Sequence, residues 1–262
     1  MKYIYTDLKN KFDFFLRNLV TFSRKNYSEK GVNQGVNQEI NIENIFENDK
    51  QKNLYYLLNE KYDLKPLYKY NHINFLTNLY YLDIFDKLLS PDKKNLSVLD
   101  IGSKNWNYAG SEYIFFKHFT EDLKLDGIEL DAYRVCTNLY SRYEIAKFYT
   151  NGLNNANYIA GDFMEHNGQY DYIVWILPFI TEYPHIRWGL PLKYFKPEKM
   201  LEHAFNLLNN NGKMLIINQG EGEYKIQKEL NKKFGLNYDD IGEVSNTFCP
   251  FKNKRFCTRI YR

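Results

Sequence analysis

The sequence predicts an α/β protein with a doubly wound, mostly parallel sheet, an antiparallel C-terminal strand and an N-terminal helical cap. Three observations support this fold class. Short apolar runs alternate with helix-length intervals after Pro91, acidic residues follow three successive runs, and the first ninety residues show helical periodicity. The 262 residues, 44% of them hydrophobic, are enough to bury one large core.

Residues 1–90 are predicted to form the helical cap. Apolar residues recur at helical spacing over Tyr5–Leu19, which indicates an amphipathic helix. The helical pattern returns over Leu54–Leu89, with a break expected at Pro66. The polar stretch between them, about residues 23–52, contains the tandem GVNQGVNQ and is predicted to be a flexible loop.

Residues 91–262 are predicted to form the ligand-binding domain, and five apolar runs in it have the character of buried parallel strands. The five runs are Ser97–Ile101, Leu125–Leu130, Tyr158–Ala160, Tyr172–Leu177 and Lys213–Asn218. The intervals between most of them suit right-handed helical crossovers. Arg255–Tyr261 is expected to belong to an antiparallel pair at the sheet edge.

Composition limits the classes of partner. The 35 basic and 32 acidic residues give a formal net charge of +3 without a block of like charge, so nucleic acid is not an expected partner. Cys136, Cys249 and Cys257 lack the spacing of a zinc site, so no metal is expected. No stretch approaches the roughly 20 apolar residues of a spanning helix. We therefore expect a cytoplasmic protein without a membrane partner, and its oligomeric state stays open.

Acidic residues stand at the ends of three consecutive predicted strands. Asp100 ends the first strand, Glu129 lies at the end of the second, and Asp162 follows the third. Ligands of doubly wound sheets bind beyond these strand ends. Glu129 is suited to accept hydrogen bonds from both ribose hydroxyls, and Asp162 from an adenine amino group, with Phe163 or Met164 covering the base. Singly, the DxG at Asp100 is a weak signal, and Glu129 is as well explained as a solvated acid at a strand terminus. Together the three acids predict a nucleoside ligand.

Five segments, in this order, resemble the class I S-adenosylmethionine-dependent methyltransferases, which have a Rossmann-like fold. These segments are VLDIG, GIELD, AGDF, YDYIVWILPF and LLNNNGKMLIINQ. The resemblance implies S-adenosylmethionine as cofactor and S-adenosylhomocysteine as its product. The cofactor-binding residues it implies are Asp100, Gly102, Ser103, Asn105, Glu129, Leu130, Asp162, Phe163 and Trp175.

Two features depart from the family pattern. Lys104 and Trp106 occupy positions where the family usually has glycine, which predicts a bulkier or differently routed loop after the first strand. The interval from Gly102 to Glu129 is also longer than usual, which implies an extended first helix or loop.

The fourth strand bears on the methyl acceptor. Family members that methylate amino nitrogens end this strand in Asn/Asp-Pro-Pro-Tyr/Phe, whereas this chain has Ile176-Leu177-Pro178-Phe179. Because the polar residue is missing, we expect a small-molecule or peptide acceptor, methylated on oxygen, carboxylate or a non-base nitrogen.

The segment after Phe179 carries the predicted catalytic residues Glu182, His185 and Arg187. His185 has the chemistry of a general base, and Arg187 that of a clamp for a carboxylate or phosphate. The alternative is a structural loop in which His185 is hydrogen-bonded and Trp188 packs against the cap. Glu221, after the fifth strand, is a second candidate base.

The predicted function is therefore in-line methyl transfer from S-adenosylmethionine, with proximity as the main source of rate. Two alternatives stay open: another group-transfer enzyme using the same cofactor, and a non-catalytic protein that binds it. A nicotinamide-linked oxidoreductase is disfavoured because GxGxxG is absent after the first strand.

Overall fold

The computed structural model describes residues 3–32, 45–244, 247–249 and 251–262. Most of the tandem GVNQGVNQ, residues 33–38, lies outside the described residues, as does the middle of the predicted 23–52 loop.

The N-terminal part is helical, as predicted. It contains α1 (Ile4–Leu19), α2 (Asp49–Lys61), a 3-10 turn (Lys65–Leu67) and α3 (His72–Leu88). The 3-10 turn contains Pro66 and separates α2 from α3, so the predicted break is confirmed. The side chains of Asn48 and Asn71 cap α2 and α3 by accepting hydrogen bonds from backbone N–H groups of the first turns.

A seven-stranded sheet forms the centre of the molecule. Its strands are β1 (Asn95–Ile101), β2 (Asp122–Glu129), β3 (Ala156–Ala160), β4 (Tyr170–Ile176), β5 (Leu208–Gln219), β6 (Asn237–Glu243) and β7 (Arg255–Tyr261). Their order is β3-β2-β1-β4-β5-β7-β6. The first five strands are parallel, and β7 runs antiparallel to both β5 and β6. The predicted doubly wound sheet with an antiparallel C-terminal edge is confirmed.

Helices cover both faces of the sheet. They are α4 (Ala109–Lys117), α5 (Arg142–Thr150), α6 (Glu182–Arg187), α7 (Pro197–Leu207) and α8 (Gly220–Lys233). Successive side chains of a strand point to opposite faces. Val98 and Val174 accordingly join a buried cluster with residues of α3, α4 and α5, whereas Leu99 and Ile173 join a second cluster with residues of α7.

Near residue 90 the chain changes from helices to alternating strands and helices, but the residues on both sides of this point share one buried core. Apolar residues of α2 and α3, such as Leu58 and Phe75, belong to the same buried cluster as Phe115 of α4 and Leu125 of β2. The helix α1 is different, because the side chains that it buries are Asp7 and Asn10.

Two classes of feature are absent from the described part of the chain. No helix there is long and apolar enough to cross a bilayer. No group of three or more His, Cys, Asp or Glu side chains is arranged there to hold a metal ion. The three cysteines are free thiols.

Candidate functional site

The carboxyl ends of β1, β2 and β3 meet at one edge of the sheet. Ile101 pairs with Ile128, and Glu129 pairs with Ala160, so the loops that leave these strands lie side by side. We call the strand-end site the group formed by the loop 102–108, residues 129–131 and Asp162. It contains Glu129 and Asp162, two of the three acids that the sequence singled out, and the third, Asp100, lies in β1 two residues before the loop begins.

The loop after β1 has an alternating left-handed backbone. Gly102, Lys104 and Trp106 have φ angles of 71°, 57° and 47°. The backbone N–H groups of Gly102 and Ser103 both donate to the carbonyl of Ile128, at 2.9 and 3.2 Å. The side chains of Lys104 and Trp106 make the loop bulkier, as predicted. The backbone at both residues is nevertheless left-handed, the conformation that glycine adopts without steric cost.

Trp106 is held in this conformation by packing and by a hydrogen bond. Its side chain is fully buried, and its indole N–H donates to Glu112 Oε2 at 2.7 Å. A Cβ atom added at Gly127 of β2 would lie 2.8 Å from the Trp106 ring. Gly127 therefore leaves the space that the indole fills, and the two residues depend on each other.

Asp100 lies beneath the loop in a buried pair of acids. Tyr108 Oη donates to Asp100 Oδ1 at 3.2 Å, and Glu112 is its other neighbour. Burial raises the pKa of Glu112 to about 7, and burial together with the charge of Glu112 raises the pKa of Asp100. The pair is therefore expected to share a proton at neutral pH. Asp100 supports the loop from inside, and its predicted contact with the methionine moiety stays a prediction.

Glu129 is oriented by three hydrogen bonds. Its Oε2 accepts from the backbone N–H of Lys104 at 2.9 Å, and its Oε1 accepts from the backbone N–H of Asp131 at 2.8 Å and from Arg142 at 3.1 Å. Since a carboxylate oxygen has two acceptor positions, Oε2 retains one for a ligand.

Asp131, two residues after Glu129, lies close to three arginines. Arg17 of α1, Arg134 and Arg142 approach its carboxylate at 2.9, 3.4 and 3.6 Å. Burial raises the pKa of Asp131, and the neighbouring Arg142 and Arg17 oppose that shift. Sequence reasoning missed this cluster. Its one local signal is the capping box Ser141–Glu144, which places Arg142 in the first turn of α5.

The Trp188 ring lies against two cations of this region, Lys104 and Arg142. Lys104 Nζ lies 5.1 Å and the Arg142 guanidinium carbon 5.4 Å from the Trp188 ring centroid. Burial and the nearby charge of Arg142 lower the pKa of Lys104. Within the described part of the chain, Lys104 has no carboxylate within ion-pair distance.

The remaining predicted cofactor contacts fall into two groups. Asp162 Oδ1 accepts from the backbone N–H of Met164 at 2.9 Å and so caps a 3-10 turn. Phe163 packs against Trp175 and His203, with ring centroids 6.5 and 4.9 Å apart, in the cluster beneath α7. The side chains of Phe163 and Trp175 therefore belong to the core, and Met164, the other residue predicted to cover a base, is half-buried against the same cluster.

Three further predicted contacts lie in or beside the loop. Ser103 is buried, and its Oγ has no hydrogen-bond partner among the described residues. Asn105 and Leu130 are half-buried. A buried hydroxyl without a partner is uncommon in folded proteins and marks a place where a ligand or water would be accommodated.

The predicted catalytic residues of α6 do not converge. His185 is only 3% exposed, its Nε2 is 2.9 Å from the carbonyl oxygen of Pro191, and its ring packs against Phe179 and Phe195. Burial lowers its pKa. Glu182 and Arg187 are exposed. These contacts favour the structural alternative for His185 over the general base.

Glu221, the second candidate base, is an exposed residue of the first turn of α8 and pairs with Lys225 at 3.0 Å. That i,i+4 ion pair is typical of a solvated helix surface.

Comparison with solved structures identifies the fold. Neither a family model nor a curated protein sequence matches the chain. A protein from Listeria monocytogenes assigned to the class I S-adenosylmethionine-dependent methyltransferases superposes with a TM-score of 0.52 at 13% identity, over 85% of this chain and 70% of that one.

The chain has the class I methyltransferase fold. A methyltransferase from Pyrococcus furiosus is also similar, with 20% identity, a TM-score of 0.48 and coverage of 71% of this chain and 82% of that one. A SAM-dependent methyltransferase from Aquifex aeolicus has 16% identity and a TM-score of 0.49, with coverage of 70% of this chain and 89% of that one. Within the class I methyltransferase fold of this chain, the strand-end site lies where ligands of doubly wound sheets bind.

Proposed function

We propose that the protein is an S-adenosylmethionine-dependent methyltransferase that binds its cofactor at the strand-end site. The observation that carries the proposal is the loop after β1. Its left-handed turns at Gly102, Lys104 and Trp106 bring the Lys104 N–H onto Glu129 and hold that carboxylate at the end of β2.

The residues of the site fit such a cofactor. A Cβ atom added at Gly102 would meet nothing within 4 Å, so the backbone there is open to close approach by a ligand. The free acceptor position of Glu129 suits a ribose hydroxyl, and Asp162 with Met164 suits the adenine. Lys104, which has no carboxylate partner among the described residues, lies near Arg142 and offers a counter-charge to an anionic group of the cofactor or of the acceptor.

The end of β4 supports the predicted class of acceptor. Ile176 and Leu177 supply no polar side chain, and the Leu177 N–H is used in a 2.7 Å hydrogen bond to the carbonyl of Ile217. A target amino group would find no side-chain partner at these two residues. The proposed acceptor is accordingly a small molecule or peptide, methylated on oxygen, carboxylate or a non-base nitrogen.

Catalysis would rest on placement. The bound cofactor would supply an already activated methyl group, so the chain has to align the acceptor with it and exclude water. Trp188 over Lys104 and Arg142, and α1 anchored at Asp131 by Arg17, provide the cover. His185 is not required, because it is buried in α6 with its Nε2 on the carbonyl oxygen of Pro191.

Binding of S-adenosylhomocysteine to wild type and Glu129→Gln, measured by titration calorimetry, tests the proposal. The neutral side chain loses a charge-assisted hydrogen bond, and we expect affinity to fall by about tenfold or more. The matched control is Glu121→Gln, which removes the same charge from a fully exposed side chain and should bind like wild type.

Absence of binding to the wild type would contradict the proposal. Binding without transfer of a labelled methyl group from S-adenosylmethionine to any component of a cell extract would instead favour a non-catalytic cofactor-binding protein.

A further inference from the structure

The helix α1 is attached to the molecule by its polar side. Asp7 accepts from the backbone N–H of Leu192 at 2.6 Å, and Asn10 donates to the carbonyls of Ile186 and Leu190 at 3.0 and 3.1 Å. Arg17 contacts Asp131 and the carbonyl of Gly189. An amphipathic helix on a globular protein ordinarily buries its apolar side, and here the polarity is reversed.

The apolar side of α1 faces outward. Seven large apolar side chains of the helix are between 42% and 82% exposed: Ile4, Tyr5, Leu8, Phe12, Phe15, Leu16 and Leu19. At 100° per residue they fall within an arc of about 120° opposite Asn10, and we call them the α1 apolar face. Together they expose on the order of 800 Å², more than the few hundred that monomers usually leave in one patch.

Basic residues flank this face. Lys9 and Lys11, both exposed, stand at its two edges on the helical projection. The acidic Asp7 lies on the protein side, where it pairs with Lys11 at 2.7 Å, and Asp13 is half-buried. Lys193 is exposed between Leu192 and Tyr194, two residues that contact α1.

This arrangement matches a helix that lies in the plane of an anionic membrane surface. Such helices place aromatic and aliphatic side chains into the boundary of the acyl chains and direct lysines to the lipid phosphates. A second copy of the chain fits less well. Antiparallel pairing of two α1 apolar faces would bring Lys9 and Lys11, near the middle of the helix, against the same lysines of the other copy.

We infer that α1 docks the protein onto bilayers of anionic phospholipid through its apolar face. This docking departs from the expectation of a protein without a membrane partner. That expectation rested on the absence of a spanning helix, which a helix lying in the interface does not need. The inference does not depend on the proposed methyl transfer, since it concerns only the outer side of α1.

Flotation of the full chain with vesicles tests the inference. Wild type should float with phosphatidylglycerol-containing vesicles and much less with pure phosphatidylcholine. The double variant Phe12→Glu/Phe15→Glu should lose at least about tenfold of the bound fraction, because two charges enter the apolar boundary. Ile73→Glu, at a 74% exposed apolar residue of α3, is the matched control and should float like wild type.

All three proteins should melt at similar temperatures, because every changed side chain is already exposed. Failure of the wild type to float with anionic vesicles, or unchanged flotation of the double variant, would overturn the inference. A dimer in light scattering that the double variant dissociates, together with no vesicle binding, would do the same and identify a second copy as the partner.

Discussion

Gly102 combines a left-handed backbone with an open position beside the proposed ligand. Its φ of 71° is left-handed, and the space where a Cβ would stand is empty. Gly235, after α8, has the same two properties, with a φ of 60°. The two positions differ in that only Gly102 belongs to the strand-end site.

We expect Gly102→Ala and Gly235→Ala each to lower the free energy of unfolding by about 1–2 kcal/mol, because alanine is strained at positive φ. Only Gly102→Ala should also weaken S-adenosylhomocysteine binding, since its methyl group would occupy the approach to the loop. Denaturant unfolding and calorimetry measure the two effects separately. Equal binding by both variants would contradict the placement of the cofactor.

The buried pair Asp100 and Glu112 predicts a pH dependence of stability. The pKa of Glu112 is about 7 in the folded protein and near 4.5 when unfolded, so the folded state binds more protons between these values. The free energy of unfolding should therefore fall as pH rises from about 4.5 to about 7, and the raised pKa of Asp100 adds a fall in the same direction.

Glu112→Gln should remove much of this fall, leaving the part that comes from Asp100. At pH 8 the variant is expected to be more stable than wild type by roughly 2–3 kcal/mol, with little advantage at pH 4.5. Urea denaturation at the two pH values is the measurement, with Glu121→Gln as the exposed control. Parallel pH profiles for wild type and Glu112→Gln would show that the buried pair does not share a proton.

At the residue scale, the sequence predicted the acids better than their surroundings. Glu129 and Asp162 could be located because each follows a recognisable apolar run. The partners of Asp131 could not, because Arg17 is 114 residues away and only the packing of α1 brings it close. The side chains of His185 and Trp175 are of types often found in functional sites. In the structure both are buried, and this burial indicates a role in packing.

At the element scale, the strands were predictable and the position of α1 was not. Arg255–Tyr261 was predicted with the bounds that β7 has, because its alternation and flanking sequence are local signals. For α1, periodicity revealed an apolar side but not whether that side faces the core. Its orientation depends on three polar side chains, whose partners lie far along the chain. Asp7 bonds to Leu192, Asn10 to Ile186, and Arg17 to Asp131.

Asn10 connects α1 to α6 and to the residues that directly follow α6. Asn10→Ala would leave the carbonyls of Ile186 and Leu190 without this donor and should weaken the attachment of α1 by about 1–3 kcal/mol. Hydrogen exchange in residues 4–19 should become faster, while exchange in the sheet should not change. Asn18→Ala, whose exposed side chain donates to the carbonyl of Phe14 within α1, is the control. Unchanged exchange in Asn10→Ala would show that other contacts hold the helix.

At the scale of the whole molecule, alternating apolar runs were sufficient to predict a doubly wound sheet with an antiparallel edge. The division into a cap and a domain stays a prediction, and in the structure α2 and α3 share their buried cluster with α4 and the sheet. Sequence periodicity describes which segments are apolar, whereas the sharing of one core by distant segments is decided by packing.

A crystal structure of the chain grown with S-adenosylhomocysteine tests the central claim most directly. We expect the ligand at the carboxyl ends of β1, β2 and β3, with a ribose hydroxyl hydrogen-bonded to Glu129 and the adenine beside Asp162. Ligand bound elsewhere, or no ligand at saturating concentration, would contradict the proposed cofactor site and with it the proposed methyl transfer.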